Sequence, residues 1–137
     1  MDVLAIAAAG LKAQQQRVNA SANNIANATT TGAVPDDNST GAASTVYRPL
    51  SVNLTAQTIN GEPGGVRVNV TENKNGYSLV YDPNNQNANA QGYIAAPNVD
   101  FVQETVNIME SKEAFKANAA VIRTEKEMQD SLMDILA

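Results

Sequence analysis

The C-terminal stretch NVDFVQETVNIMESKEAFKANAAVIRTEKEMQDSLMDILA (residues 98–137) contains neither proline nor glycine. Two apolar rows run along it at spacings of seven residues: Phe101, Ile108, Phe115 and Ile122 in one, and Val121, Met128 and Ile135 in the other. The two rows lie side by side, so this apolar face is wider than contact with a single helix requires. We therefore predict one helix of about 55 to 60 Å. That helix needs a partner beyond its own middle segment.

A second helix is predicted at the other end of the chain, over residues 2 to about 28, which lack proline and contain only Gly10 as a glycine. Large apolar residues recur there every seven positions, with alanines between them: Leu4, Leu11, Val18 and Ile25. This alternation of large and small residues is typical of a coiled-coil-like seam. The run Thr29–Gly32 and the following Pro35 predict where the helix ends.

The segment between the helices, residues 29–97, holds all five prolines and seven of the eight glycines. Short β-rich runs predict strands: Val46–Leu54, Val66–Val70 and Tyr77–Tyr81. Turn signals separate them at residues 61–65 and 73–76, and loops are expected at residues 36–41 and 82–89. The expected fold is α+β, with an N-terminal helical segment 1–28, a loop and small β-rich segment 29–97, and a C-terminal helical segment 98–137.

Composition argues against several functional classes. The formal charge of −5 and the pI near 4.5 give nucleic-acid binding no electrostatic basis. Histidine and cysteine are both absent, which removes the usual general base and thiolate metal ligands. Asp82-x-Asn84-x-Gln86 does not complete a calcium loop, because Asn87 stands where glycine is needed and Tyr93 where glutamate is needed. We therefore expect no enzyme activity and no cofactor.

The N-terminal residues Met1–Gly10 are apolar but carry no basic region before them. A cleaved signal peptide is not expected from this pattern, and the run is far shorter than the ~20 residues that span a bilayer. We expect no direct membrane insertion.

Three short motifs near the ends resemble those of the flagellar axial proteins. NNIANATT at residues 23–30 is similar to the motif that closes their N-terminal helix. NVDFVQE at residues 98–104 and FKAN at residues 115–118 are similar to two motifs of their C-terminal helix. The resemblance marks five polar residues as family positions: Asn24, Asn27, Asn98, Asp100 and Asn118.

The middle of the chain narrows the resemblance to the proximal rod proteins of the FlgC type. The similar segments are YRPL (47–50), GGVRV (64–68), LVYDP (79–83) and, most specifically, QGYIAAPNVD (91–100). One departure is the Asp-, Asn-, Ser- and Gly-rich stretch between Thr31 and Tyr47. Many axial relatives lack this stretch, so that their T-x-G motif is followed directly by the tyrosine.

The resemblance implies a structural subunit of the flagellar basal-body rod, whose terminal helices pair as an antiparallel coiled coil and transmit torque. It implies assembly in the periplasmic space with copies of itself, other rod proteins and basal-body ring proteins. Passage through the flagellar type III export apparatus without signal cleavage is also implied, as are partly disordered ends in isolated subunits. The alternatives are another rod or hook-type subunit and, from a different class, a self-contained periplasmic binding module.

The same motifs suggest a hypothesis for the asparagines at the end of the first helix. Asn23, Asn24 and Asn27 lower helix propensity there. A polar residue buried at a helical seam can fix the register of the partners by hydrogen bonding. We expect these asparagines to act in this way towards neighbours.

Overall fold

The computed structural model describes residues 3–35 and 46–136. Two helices enclose two antiparallel hairpins in chain order: α1 (Val3–Asn27), β1 (Leu50–Ile59), β2 (Glu62–Glu72), β3 (Tyr77–Tyr81), β4 (Tyr93–Pro97) and α2 (Phe101–Leu136). The predicted α+β class, with terminal helices and a small strand-rich middle, is confirmed. The loop predicted at residues 36–41 lies outside the described residues.

The two helices lie side by side and run antiparallel. Near the end of α1, Asn24 contacts Glu104 close to the start of α2, and Arg17 contacts Glu110 one to two turns further on. At the opposite end of the pair, Val3 lies beside Val121 and Met128. Because α2 has 36 residues and α1 has 25, about one third of α2 continues past the start of α1. That projection is roughly 16 Å long.

Each helix has a local reason to begin or end where it does. Asp100 Oδ1 accepts hydrogen bonds from the backbone N–H groups of Val102 (2.9 Å) and Gln103 (3.1 Å), so Asp100 is the N-cap of α2. Asn98, two residues earlier, donates its backbone N–H to Gly76 O at 2.9 Å and takes no part in this cap. At the end of α1, Thr30 Oγ1 donates to Asn27 O at 2.7 Å and terminates the helical pattern.

The first hairpin joins β1 to β2 through Asn60 and Gly61, whose φ angles are 53° and 84°. Two consecutive positive φ angles make a type I′ turn, which matches the twist of the paired strands. The turn predicted at residues 61–65 is therefore wrong, because β2 already begins at Glu62. Pro63 is accommodated within β2 because the pairing register shifts between Ala56 and Thr58.

The hairpin has one apolar and one polar face. The pairs Val52–Val70, Leu54–Val68 and Ala56–Val66 share one face, and the intervening pairs are polar. Both strands contact α1, but Leu54 and Val70 remain exposed. Gly65, at a φ of 90°, brings the backbone so close to α1 that a Cβ there would lie 3.2 Å from the Ala9 methyl. The predicted strand Val46–Leu54 starts late, at Leu50, and Val46 lies outside the strand as a buried residue.

The second hairpin pairs β3 with β4, and β4 is a strand that the sequence pattern did not predict. The link between them, residues 82–92, contains no helix or strand and is closed by Asp82 N–H donating to Gly92 O at 2.9 Å. Gly32, beyond the end of α1, forms a bridge of two hydrogen bonds with Ala95 of β4. That bridge ties the exit of α1 to the second hairpin.

Candidate functional site: the helix pair and the Asn24 junction

The surface between α1 and α2 is built mainly from small side chains. The buried residues of α1 are Ala7, Ala13, Ala20, Ser21 and Asn24, and the buried residue of α2 is Ser111. The predicted row Leu4, Leu11, Val18 and Ile25 is only half-buried. Small residues at the contact allow the helix backbones to approach, which leaves the larger apolar side chains at the margins of the pair.

Gly10 and Asn118 mark a close approach of the two helices. A Cβ built on Gly10 would lie 2.8 Å from the terminal atoms of the Asn118 side chain. Asn118 also donates its amide to Ala114 O at 3.0 Å, which holds the side chain along α2. Asn118 therefore takes the space that a side chain at position 10 would need.

Asn24 is the most highly connected side chain in the described residues. It is 1% exposed, and its amide nitrogen donates to Leu50 O (2.9 Å) and to Glu104 Oε1 (2.7 Å). Its Oδ1 accepts from Leu50 N–H (2.7 Å) and from the Tyr47 hydroxyl (2.9 Å). We call Asn24, Tyr47, Leu50 and Glu104 the Asn24 junction. It joins the last turns of α1 to the first turn of α2 and to the start of β1.

The carboxylate of Glu104 is shared within this junction. Its Oε1 accepts from Asn24, and its Oε2 accepts from Asn107 at 3.3 Å. The pKa of Tyr47 is raised above its ordinary value, first because the hydroxyl is partly buried and then because the charges of Glu104 and Glu72 disfavour a phenolate. The neutral hydroxyl is thus the form that the junction stabilises.

Both hydrogen-bonding atoms of the Asn24 amide are occupied within its own chain. These bonds hold α1 against α2 and the start of β1, and the register role towards neighbouring subunits stays a prediction. Asn27 likewise donates to Asn23 O at 2.9 Å along its own helix. No role for Tyr47 or Glu104 was predicted from the residue pattern, although both lie in segments that resemble the axial proteins. The available signal was Asn24, because a buried asparagine needs hydrogen-bond partners.

The apolar rows of α2 are largely uncovered. Phe101, Phe115, Met128 and Ile135 are exposed, whereas Ile108 and Ile122 are half-buried. Exposure increases along the projecting end of α2, from 52% at Met128 to 79% at Ile135 and 86% at Leu136. Contiguous exposed apolar surface of this kind marks an interaction site.

An apolar groove runs along one side of the helix pair. Val18, Ile108 and Phe115 line it, Lys112 and Lys116 flank it, and it encloses about 390 Å³. Lys116 donates to Glu113 at 2.8 Å, and this hydrogen bond, followed by the charges of Lys116 and Lys112, lowers the pKa of Glu113. The groove is therefore hydrophobic at its floor and positively charged at its edge.

Within residues 3–35 and 46–136 no group of three or more acidic side chains is placed to hold a metal ion. None of the helices in those ranges is both long and apolar enough to cross a membrane. Of the five family positions, Asp100 caps α2, Asn24 forms the junction and Asn118 lies at the close helix contact. At the other two, the Asn27 side chain and the Asn98 backbone N–H each donate to a backbone carbonyl.

Similarity to known proteins covers more than nine tenths of the chain. The model of the family described as "Flagella basal body rod protein" matches residues 4–33, and the "Flagellar basal body rod FlgEFG protein C-terminal" model matches residues 90–135. The flagellar basal-body rod protein FlgC of Salmonella typhimurium strain LT2 is 38% identical over 130 residues, covering 93% of this chain and 91% of that protein. FlgC of Bacillus subtilis strain 168 is 32% identical over 142 residues, with coverage of 96% and 95%. This chain therefore belongs to the FlgC family of flagellar basal-body rod proteins and is a structural subunit of the rod, not an enzyme.

Proposed function

We propose that this rod subunit belongs to the proximal part of the rod and is joined to its neighbours through α1 and α2. The observation that carries the proposal is the projecting end of α2, defined here as residues 126–136, which extends past α1 with its apolar side chains exposed. Burying one large apolar side chain contributes about 1.5 to 3 kcal/mol. Because Met128, Leu132 and Ile135 are 52%, 60% and 79% exposed, covering them in an assembly offers roughly 3 to 6 kcal/mol before the entropy of association is subtracted.

The groove of Val18, Ile108 and Phe115 has the properties of a receiving surface. Ile108 and Phe115 are seven residues apart, as are Met128 and Ile135, so the two apolar faces have equal length along a helix. The groove is edged by Lys112 and Lys116, whereas the projecting end carries Glu127, Asp130 and Asp134 against Lys126 alone. Opposite charges at the margins favour the correct partner and orientation.

A contact between the projecting end of one subunit and the groove of the next is heterologous. Such contacts join different surfaces of identical molecules, so they continue as a helical array when the rotation does not close a ring. This geometry suits a rod, because each added subunit presents the surface that the following one needs. Other rod proteins with similar terminal helices are partners of the same kind.

The two helices are further proposed to form an antiparallel coiled coil in the assembled rod. Support comes from their antiparallel contact and from the half-buried heptad row of α1, whose large residues lie where a third helix would cover them. Many small close contacts along the helices resist shear, which a torque-transmitting shaft requires. The hairpins would then face away from the axis.

Location in the periplasmic space, contact with basal-body ring proteins and passage through the type III export apparatus complete the proposal. A chain without cysteine can pass unfolded through a channel without first breaking disulfides. Helices that depend on tertiary packing for their stability are also compatible with export in an unfolded state.

The experiment compares Leu132→Asp with Asn69→Asp. Both changes place a carboxylate on an exposed residue, but only Leu132 belongs to the projecting end of α2. We expect Leu132→Asp to abolish motility while export and the helix content of the monomer stay normal, and Asn69→Asp to be motile. Motile cells with Leu132→Asp, at normal protein levels, contradict assembly through this surface and favour a self-contained module.

A further inference from the structure

The chain contains two Asn–Gly pairs, and the structure places them in contrasting environments. Asn60–Gly61 forms the tip of the β1–β2 hairpin, and Asn75–Gly76 lies in the turn between β2 and β3. In such pairs the backbone nitrogen of glycine can attack the side-chain carbonyl carbon of asparagine. A C–N bond forms, ammonia leaves, and water then opens the cyclic imide to aspartate or isoaspartate. Water is consumed, ammonia is released, and no oxidant or reductant is needed.

We propose that Asn60 is a site of spontaneous deamidation in the folded protein and that Asn75 is protected from the same reaction. The proposal concerns the intact chain and does not depend on how the subunit contacts its neighbours. Both pairs have the same two residues, so they can undergo the same reaction. They differ in whether hydrogen bonds and packing hold the backbone nitrogen of the glycine in place.

At the hairpin tip, the attacking nitrogen is free. Asn60 and Gly61 are both exposed, and apart from Gly61 and its two chain neighbours no atom lies within 4 Å of the position that a Cβ on Gly61 would occupy. Among the described residues, no hydrogen bond engages the backbone N–H of Gly61. The tip can therefore move from its turn geometry to the attacking geometry without breaking a contact of Gly61.

In the second pair, the attacking nitrogen is held. Gly76 N–H donates to Asn73 O at 3.0 Å, and Gly76 O accepts from Asn98 N–H at 2.9 Å. Gly76 is buried against Pro49, whose Cδ would lie 2.6 Å from a Cβ at that position. Asn75 N–H is itself bound to Asn73 Oδ1 at 3.2 Å. Attack by Gly76 therefore requires this turn to open first.

Conversion of Asn60 changes both the geometry and the charge of the hairpin tip. Isoaspartate places an additional carbon in the backbone of a turn that has only two residues, so the neighbouring Ile59–Glu62 pair loses its register. The new carboxylate also lies beside Glu62 and repels it. Asn24 and Leu50, at the other end of β1, keep their hydrogen bonds, so the change is confined to the tip.

Incubation of the purified full-length chain at mildly alkaline pH, followed by peptide mapping with mass spectrometry, tests the proposal. We expect Asn60 to convert at least about tenfold faster than Asn75, which corresponds to an opening free energy of ~1.4 kcal/mol or more at the second site. Isoaspartate should accumulate in the peptide that contains residue 60. In denaturant the two rates should become similar, because both pairs are then equally free.

Two outcomes would overturn the proposal. One is conversion of Asn75 as fast as Asn60 in the native protein. The other is an Asn60 that stays intact in the native protein over a period in which it converts in denaturant. As a check on site assignment, Asn60→Ser should remove the conversion at the tip and leave the slow conversion at Asn75 unchanged, because serine has no amide to lose.

Discussion

Replacing Asn24 with alanine should destabilise the protein far more than any other single asparagine change in α1. The side chain donates two hydrogen bonds and accepts two, at 2.7 to 2.9 Å, and alanine removes all four. Glu104 keeps its bond to Asn107, whereas the Tyr47 hydroxyl loses its acceptor. The N–H and C=O of Leu50 lose the partner that holds the start of β1 against α1.

The size of the stability loss in Asn24→Ala follows from the unpaired N–H and C=O of Leu50. Leaving a buried polar group unpaired costs about 1 to 3 kcal/mol, and truncating a fully buried side chain adds a cavity. We expect a loss of about 3 kcal/mol in the free energy of unfolding, a large part of the roughly 5 to 15 kcal/mol typical of a small domain. Asn24→Asp should be at least as damaging at neutral pH, because it places a second carboxylate 2.7 Å from Glu104.

Denaturant unfolding of the full-length chain, followed by far-ultraviolet circular dichroism and tyrosine fluorescence, measures this loss. The matched control is Asn23→Ala, one residue earlier on the exposed face of α1, which should change stability by less than about 0.5 kcal/mol. Equal unfolding free energies for Asn23→Ala and Asn24→Ala would refute the junction as a source of stability. Such a result would also mean that α1 and α2 are not docked in the isolated chain.

Three further predictions follow from the same contacts. Asp100→Ala should lower stability by about 1 kcal/mol in thermal unfolding, because it removes the cap of α2, whereas Asn98→Ala should be nearly neutral; equal effects would contradict the assigned cap. Because the folded state raises the pKa of Tyr47, the Tyr47 hydroxyl stabilises the protein below pH ~10, and this stabilisation declines as the pH rises above that value. Tyr47→Phe should remove that decline from the free energy of unfolding measured at alkaline pH. The same pH profile for Tyr47→Phe and the unchanged protein would contradict the role of the hydroxyl. The chain has no cysteine, so one can be placed at the edge of the groove (Lys112→Cys) and one on the projecting end of α2 (Ser131→Cys) of the same chain. Oxidation of isolated rods built from this double variant should form disulfides between subunits. If both thiols are accessible and no such disulfide forms, the groove is not the receiving surface.

Much of the molecule could be predicted from local pattern. The helices were predictable because both ends lack proline, contain glycine only at Gly10, and carry large apolar residues at helical spacing. The strand Tyr77–Tyr81 was predictable from its β-branched and aromatic residues. The strand Tyr93–Pro97 was not, because Ala95, Ala96 and Pro97 have low β propensity and join a strand through pairing with β3 and Gly32.

The turn between β1 and β2 could be placed at two positions from the sequence alone. Five consecutive turn-forming residues at 61–65 pointed to a longer connection, but Asn60 and Gly61 both adopt positive φ and close the hairpin in two residues. Gly64 and Gly65 then serve a different purpose, which is close packing of β2 against neighbouring backbone and α1. Whether a glycine in this run forms the turn or allows close packing depends on where α1 lies beside the strand, which the local sequence does not specify.

By itself the sequence determined that two amphipathic helices flank a strand-rich segment, that no catalytic or metal chemistry is expected, and which motifs resemble the axial proteins. These properties depend on residue type and spacing, which are local. The tertiary structure decided that small residues form the contact between the helices while the heptad residues lie at its margins. It also decided that Asn24 finds its partners in Tyr47, Leu50 and Glu104. Those contacts join positions up to eighty residues apart, and no local periodicity encodes which distant group a buried amide will meet.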